Sequence, residues 1–137
     1  MKILIANNKG VTNSSVTSYL QQNGYHVVTS NSYPETLKKI EECHPDLIIA
    51  DLNLSESTFK LINEIKTNPQ NKQISIIVIS KDGQESLVET AFELGADDYI
   101  SNYNKLQELS LRINILARFS LLKTSGKNFY QEELKQA

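Results

Sequence analysis

A chain of 137 residues, 39% hydrophobic and 22% charged, has the size and composition of one globular domain with a buried core. A net charge of -2 argues against a nucleic-acid footprint or attraction to an anionic membrane. No apolar stretch is long enough to span a bilayer, Met1-Lys2-Ile3 does not open a signal peptide, and the single Cys43 excludes an internal disulfide, so a reducing cytoplasm is expected.

Ile3-Leu4-Ile5-Ala6 reads as a short buried strand that stops at Asn7-Asn8. Gly10 and Thr12-Asn13-Ser14-Ser15 supply loop and N-cap residues, after which Val16, Tyr19 and Leu20 recur at helical spacing up to Gly24. Tyr25-His26-Val27-Val28-Thr29 is a second, half-exposed strand nearer an edge. Ser32 or Tyr33 leads into Pro34, and Leu37, Ile40 and Cys43 mark the inner face of a second helix that ends at His44-Pro45. Cys43 reads as buried or half-buried filler, and His26 and His44 as solvated or turn residues without ligand-spaced partners.

Asp46-Leu47-Ile48-Ile49-Ala50-Asp51 is the stretch around which the chain is organised. Its continuous apolar run suits a parallel strand buried on both faces, and Asp51 ends it at the carboxyl edge, where open α/β sheets hold ligands. Phe59, Leu61, Ile62 and Ile65 mark a third helix, Ile74 to Ile79 a fourth strand ending at Ser80, and Leu87, Val88, Ala91 and Leu94 a fourth helix closed by Gly95. Asp98-Tyr99-Ile100-Ser101 is a fifth strand, and a long helix from about Lys105 carries Leu106, Leu109, Ile113 and Leu116 on one face. Five strand–helix alternations with short connections predict right-handed crossovers and a parallel sheet with helices on both faces. The last helix carries a second stripe, Leu111, Ile115, Phe119 and Leu122. It reads either as part of one broad core face or as a contact for a homodimer or neighbouring domain.

Lys2 to Ala6, His44 to Asp51, Ile76 to Ser80 and Gly95-Ala96-Asp97-Asp98-Tyr99-Ile100 together resemble the receiver domain of the bacterial response-regulator family, the flavodoxin-like module of two-component signalling. The resemblance spans about residues 1–122 and leaves 123–137 as a C-terminal extension, a linker toward an output domain. It implies a sheet of order 2-1-3-4-5. It also implies that Asp51 takes a phosphoryl group from a histidine kinase or phosphotransfer protein. Asn7 and Asn8 stand where the family has a Mg²⁺-holding acidic pair, and Asn53 where a backbone carbonyl meets the metal. Ser80 matches the phosphoryl-binding hydroxyl and Tyr99 the aromatic that swings inward, whereas Asn102 and Tyr103 replace the family's lysine and proline. The loop after Asp51 is one residue short before Phe59 and lacks the usual proline and glycine.

Mg²⁺ wants hard anionic oxygens, and the two asparagines remove two formal negative charges. Weak metal binding at Asp51 and Asn53 is therefore expected at most, with no other cofactor. Lys9 and Lys81 flank the site as substitute cations, against the plainer reading of both as solvated lysines. Two functions stay open: a phosphoryl-accepting receiver, and a phosphorylation-independent module for dimerisation or protein interaction. A nucleotide- or flavin-binding enzyme is disfavoured, because only Gly10 sits in the first strand–helix loop and no nucleophile–base pair is visible.

Overall fold

Short runs of isoleucine, leucine and valine bounded by polar residues form fully buried strands. Five of them make the centre of this computed structural model, which describes residues 1–6, 11–52, 55–80, 84–101 and 106–119. The order is β1 (Lys2–Ile5), α1 (Val11–Gln22), β2 (His26–Thr29), α2 (Tyr33–Cys43), β3 (Leu47–Asp51), α3 (Ser55–Thr67), β4 (Ser75–Ile79), α4 (Glu85–Leu94) and β5 (Asp98–Ile100). A further helix, α5, runs through residues 106–119. The strands form one parallel sheet of order β2-β1-β3-β4-β5, as expected from the sequence.

The contacts divide the chain into Met1–Leu106 and Gln107–Ala137. Within the first unit, side chains of each strand alternate between the two sheet faces. Leu4, Ile48, Ile76 and Val78 share one core cluster with Ile40 of α2, Ile62 and Ile65 of α3 and Ala91 of α4. Their neighbours Ile3, Ile5, Ile49 and Ile77 are equally buried, as are Val16 and Leu20 of α1. A strand buried on both faces gains no polar alternation, which is why Leu47–Ala50 is uninterrupted apolar sequence.

Local chemistry sets the element ends. Ser32 caps α2 by accepting from the Glu35 N–H at 3.2 Å, and proline follows at the start of the helix. α2 does end before Pro45, but through a left-handed His44 (φ 48°) whose N–H bonds the Ile40 carbonyl, rather than through an extended residue. Buried Ser30 and Thr36 share a 2.6 Å hydroxyl contact that ties the end of β2 to α2. The N-cap assignment for α1 needs correction. The helix already begins at Val11, so Thr12-Asn13-Ser14-Ser15 are helical. Capping residue types carry the same signal when they fill a first turn.

Lys66 is the hub at the opposite, amino edge of the sheet. Its ammonium donates to the carbonyl of Ile74 at 2.7 Å and to Asp97 Oδ2 at 3.1 Å, and that same oxygen accepts the Ile76 N–H at 2.8 Å. Gly95, with φ 121°, closes α4 beside the Lys66 stem, where a Cβ would come within 2.7 Å of Lys66 Cγ. Gly95→Ala is expected to cost about 1–3 kcal/mol through left-handed strain and displacement of that stem. The check is a lower urea midpoint at unchanged m-value.

In the second unit, Leu109 and Ile113 are buried, whereas Leu111 (62%), Ile115 (58%) and Phe119 (56%) are exposed. The reading of both stripes as one broad core face is therefore wrong. Positions two apart on a helix lie about 200° apart, so one buried face cannot take both. Leu122 and the extension 123–137 lie outside the described residues.

Candidate functional site

Register brings the strand ends to one edge. Asp51 pairs with Ile79, and Ile79 with Ile100. On the other side the Ala6 N–H bonds the Ile49 carbonyl at 2.8 Å, and Ser80 N–H bonds the Ile100 carbonyl at 3.0 Å. Asp51, half-buried, and Ser80, 4% exposed, thus end adjacent strands at the same edge, as the sequence reading placed them. Asn7, Asn8, Lys9, Asn53, Lys81 and Asn102 lie outside the described residues.

Few residues separate β3 from α3. Leu52 is fully buried and α3 begins at Ser55. Thr58, in the first turn of α3, donates its hydroxyl to the Asp51 carbonyl oxygen at 2.6 Å and so holds the helix start to the strand end. A shallow cleft, open to solvent, lies beside this clamp. Ala6, Ala50 and Asp51 form its floor, Tyr33 and Thr36 of α2 one wall, and Ser57, Thr58 and Leu61 of α3 the other. Sequence reading noted Thr58 and the shortened loop but not the hydrogen bond.

Tyr99 does not join Asp51 and Ser80. It is 41% exposed, and its ring meets Phe92 of α4 edge-on, with centroids 6.2 Å apart and planes at 88°. Sequence reasoning missed Phe92 as its partner. The available signal was alternation along β5, since Ile100 is buried and its neighbour must face the other way.

The cleft lining holds one carboxylate, Asp51. The positions that the resemblance assigns to metal ligation, Asn7, Asn8 and Asn53, are asparagine in this sequence. Among the described residues no helix is long and apolar enough to cross a membrane.

Comparison with known proteins agrees with the geometry. The model of the response regulator receiver domain matches residues 3–114. Response regulator RR06 of Streptococcus pneumoniae is 31% identical over 119 residues, 86% of this chain and 54% of that protein. The phosphate regulon transcriptional regulatory protein PhoB of Escherichia coli is 29% identical over 118 residues, 85% of this chain and 52% of its own length. The chain thus spans about half the length of these curated relatives. A solved response-regulator structure from Chloroflexus aurantiacus superposes with TM-score 0.78 at 30% identity, covering 85% of this chain and 97% of that one. NtrX of Brucella abortus shares the fold, with TM-score 0.85 at 24% identity over 93% of this chain and 29% of NtrX. The chain belongs to the response regulator receiver domain family of two-component signalling.

Proposed function

We propose that this receiver is an atypical one. Asp51 holds the phosphoacceptor position, but its phosphoryl loading is slow or lost and the domain signals through protein contact. The observation that carries this is the replacement of three charged positions by asparagine, at residues 7, 8 and 102. Phosphoryl transfer depends on metal and cationic groups to neutralise the moving charge, and amides supply neither full charge. Lys9 and Lys81 are the chain's own candidates to replace them. The live-receiver reading draws support from Asp51 and Ser80 ending adjacent strands at one edge.

Acetyl phosphate with millimolar Mg²⁺ separates the two readings. Intact mass is expected to show little or no phosphoryl adduct, and an adduct absent from Asp51→Ala but stoichiometric in the parent chain would establish the live receiver. In that case a histidine kinase or phosphotransfer protein is the upstream partner. The contact reading instead uses the exposed stripe of α5, toward a second copy or an output domain, in the cytoplasm. Asp51→Ala is then expected to leave association unchanged. Leu111→Glu with Ile115→Glu should weaken it about tenfold or more, because charge is placed where apolar area would be buried. Sedimentation velocity on both variants decides, and altered assembly in Asp51→Ala alone returns the case to the live receiver.

A further inference from the structure

Thr58 uses its hydroxyl differently from other helical threonines of this chain. Thr36, Thr67 and Thr90 each donate to the carbonyl four residues back. That local bond is the ordinary habit of threonine in a helix. The Thr58 hydroxyl instead leaves its helix and donates to the Asp51 carbonyl, seven residues back at the end of β3, at 2.6 Å. Thr58 itself is buried, so little water competes for that carbonyl. Threonine is also a poor helix former, because its branched side chain loses χ1 freedom there.

The connection that this bond spans has no stiffness of its own. Leu52-Asn53-Leu54 joins β3 to α3 and contains neither proline nor glycine, so no residue of special backbone preference sets its path. The Asp51 main chain is held by its surroundings instead. Its strand pairs with β4 at Ile79, Leu52 beside it is fully buried, and Thr58 takes hold of its carbonyl. Backbone dihedrals decide which side-chain rotamers are allowed. A peptide plane fixed at Asp51 therefore selects the direction of its carboxylate in the cleft that Asp51 and Thr58 both line.

We propose that Thr58 is a positioning residue, acting through the Asp51 main chain to hold the Asp51 carboxylate in one rotamer without a metal ion. This deepens the reading of Asp51 as the acceptor position and rests on it, because an attacking carboxylate must be held in line with the group it attacks. Its test uses neither phosphate nor metal, so the two can fail separately. A chain that never takes a phosphoryl group can still uphold the role of Thr58, and a chain that does can still refute it.

The measurement is NMR on the full chain in metal-free buffer. Three-bond carbon–carbon and nitrogen–carbon couplings to Asp51 Cγ report its χ1 angle. The parent chain is expected to give the couplings of a single staggered rotamer. Thr58→Val, which keeps the shape and loses the hydroxyl, should give couplings averaged over rotamers. Thr58→Ser, which keeps the hydroxyl, should restore the parental values. Amide exchange at Phe59, Lys60 and Leu61, in the first hydrogen-bonded turn of α3, should run about tenfold faster in Thr58→Val and at the parental rate in Thr58→Ser. Thr58→Ala, smaller than valine and also without the hydroxyl, must behave as Thr58→Val does. Two variants of the same helix serve as controls. Thr67→Val removes a hydroxyl whose bond stays within α3, and Ile62→Val trims a fully buried side chain and lowers global stability. Both should leave the Asp51 couplings unchanged. Circular dichroism verifies that each variant folds. The proposal is overturned if the parent chain already shows averaged couplings, or if Thr58→Val and Thr58→Ala keep a single rotamer. It is equally overturned if Thr58→Ser fails to restore the parental values, or if Ile62→Val averages the couplings as Thr58→Val does, which would leave Thr58 a stabilising residue only.

Discussion

Asn7→Asp together with Asn8→Asp is expected to raise Mg²⁺ affinity about a hundredfold or more. Each substitution exchanges an amide dipole for a full negative charge just past Ala6 in sequence, and Ala6 lines the cleft with Asp51. A unit charge pair at about 4 Å is worth about 4 kcal/mol at an effective dielectric of 20, before the dehydration that offsets much of it. A net gain of about 1.4 kcal/mol per carboxylate is already tenfold each. Calorimetric titration should show negligible heat for the parent chain and a saturable isotherm for the double variant. Adding Asn102→Lys should then speed acetyl-phosphate labelling of Asp51, since an ammonium at that position neutralises incoming phosphoryl charge. Tight, sub-millimolar Mg²⁺ binding by the parent chain would contradict the charge argument at its root.

Ile48→Ala is expected to be the most destabilising of the substitutions considered, at about 2–5 kcal/mol. Ile48, the second residue of β3, is fully buried, with Leu4 of β1 on one side and Ile76 of β4 on the other. Its side chain belongs to the cluster that includes Ile62 and Ala91. Strands held from both edges cannot collapse into the space left behind, so the cavity persists and its cost adds to the lost transfer energy. Such a loss is a large share of the about 5–15 kcal/mol by which domains are stable. Urea unfolding should show the midpoint falling steeply. Leu111→Ala, at an exposed position of α5, should stay within about 0.5 kcal/mol.

The sheet order was legible because its signal is local. Apolar runs such as Ile76-Ile77-Val78-Ile79 alternate with helical stripes, and short connections leave few topologies. The placement of Asp51 and Ser80 at one edge followed from the same pattern. What escaped is of longer range. The Thr58 hydroxyl reaches a main-chain carbonyl seven residues back, and no periodicity announces such a bond. The contact of Phe92 with Tyr99 joins two elements, so it depends on packing rather than on spacing. The start of α1 was misplaced because threonine, asparagine and serine favour caps and also tolerate a first turn. The second stripe of α5 was ambiguous because a helix repeats its apolar pattern without stating which side is covered.

The strand order also bears on how the chain reaches this state during synthesis. β1 is made first yet lies inside the sheet, with β2 on one flank and β3 on the other. A chain emerging amino end first can pair Leu4 with Val28 early, but the other edge of β1 waits for Ile48. Until then a row of unsatisfied amides and carbonyls on an isoleucine-rich strand is open to any extended segment nearby. Parallel pairing across such separations is slow relative to helix formation. The nascent receiver is therefore most exposed to misassembly in the interval before β3 clears the ribosome, and pausing just upstream of Leu47 would lengthen that interval.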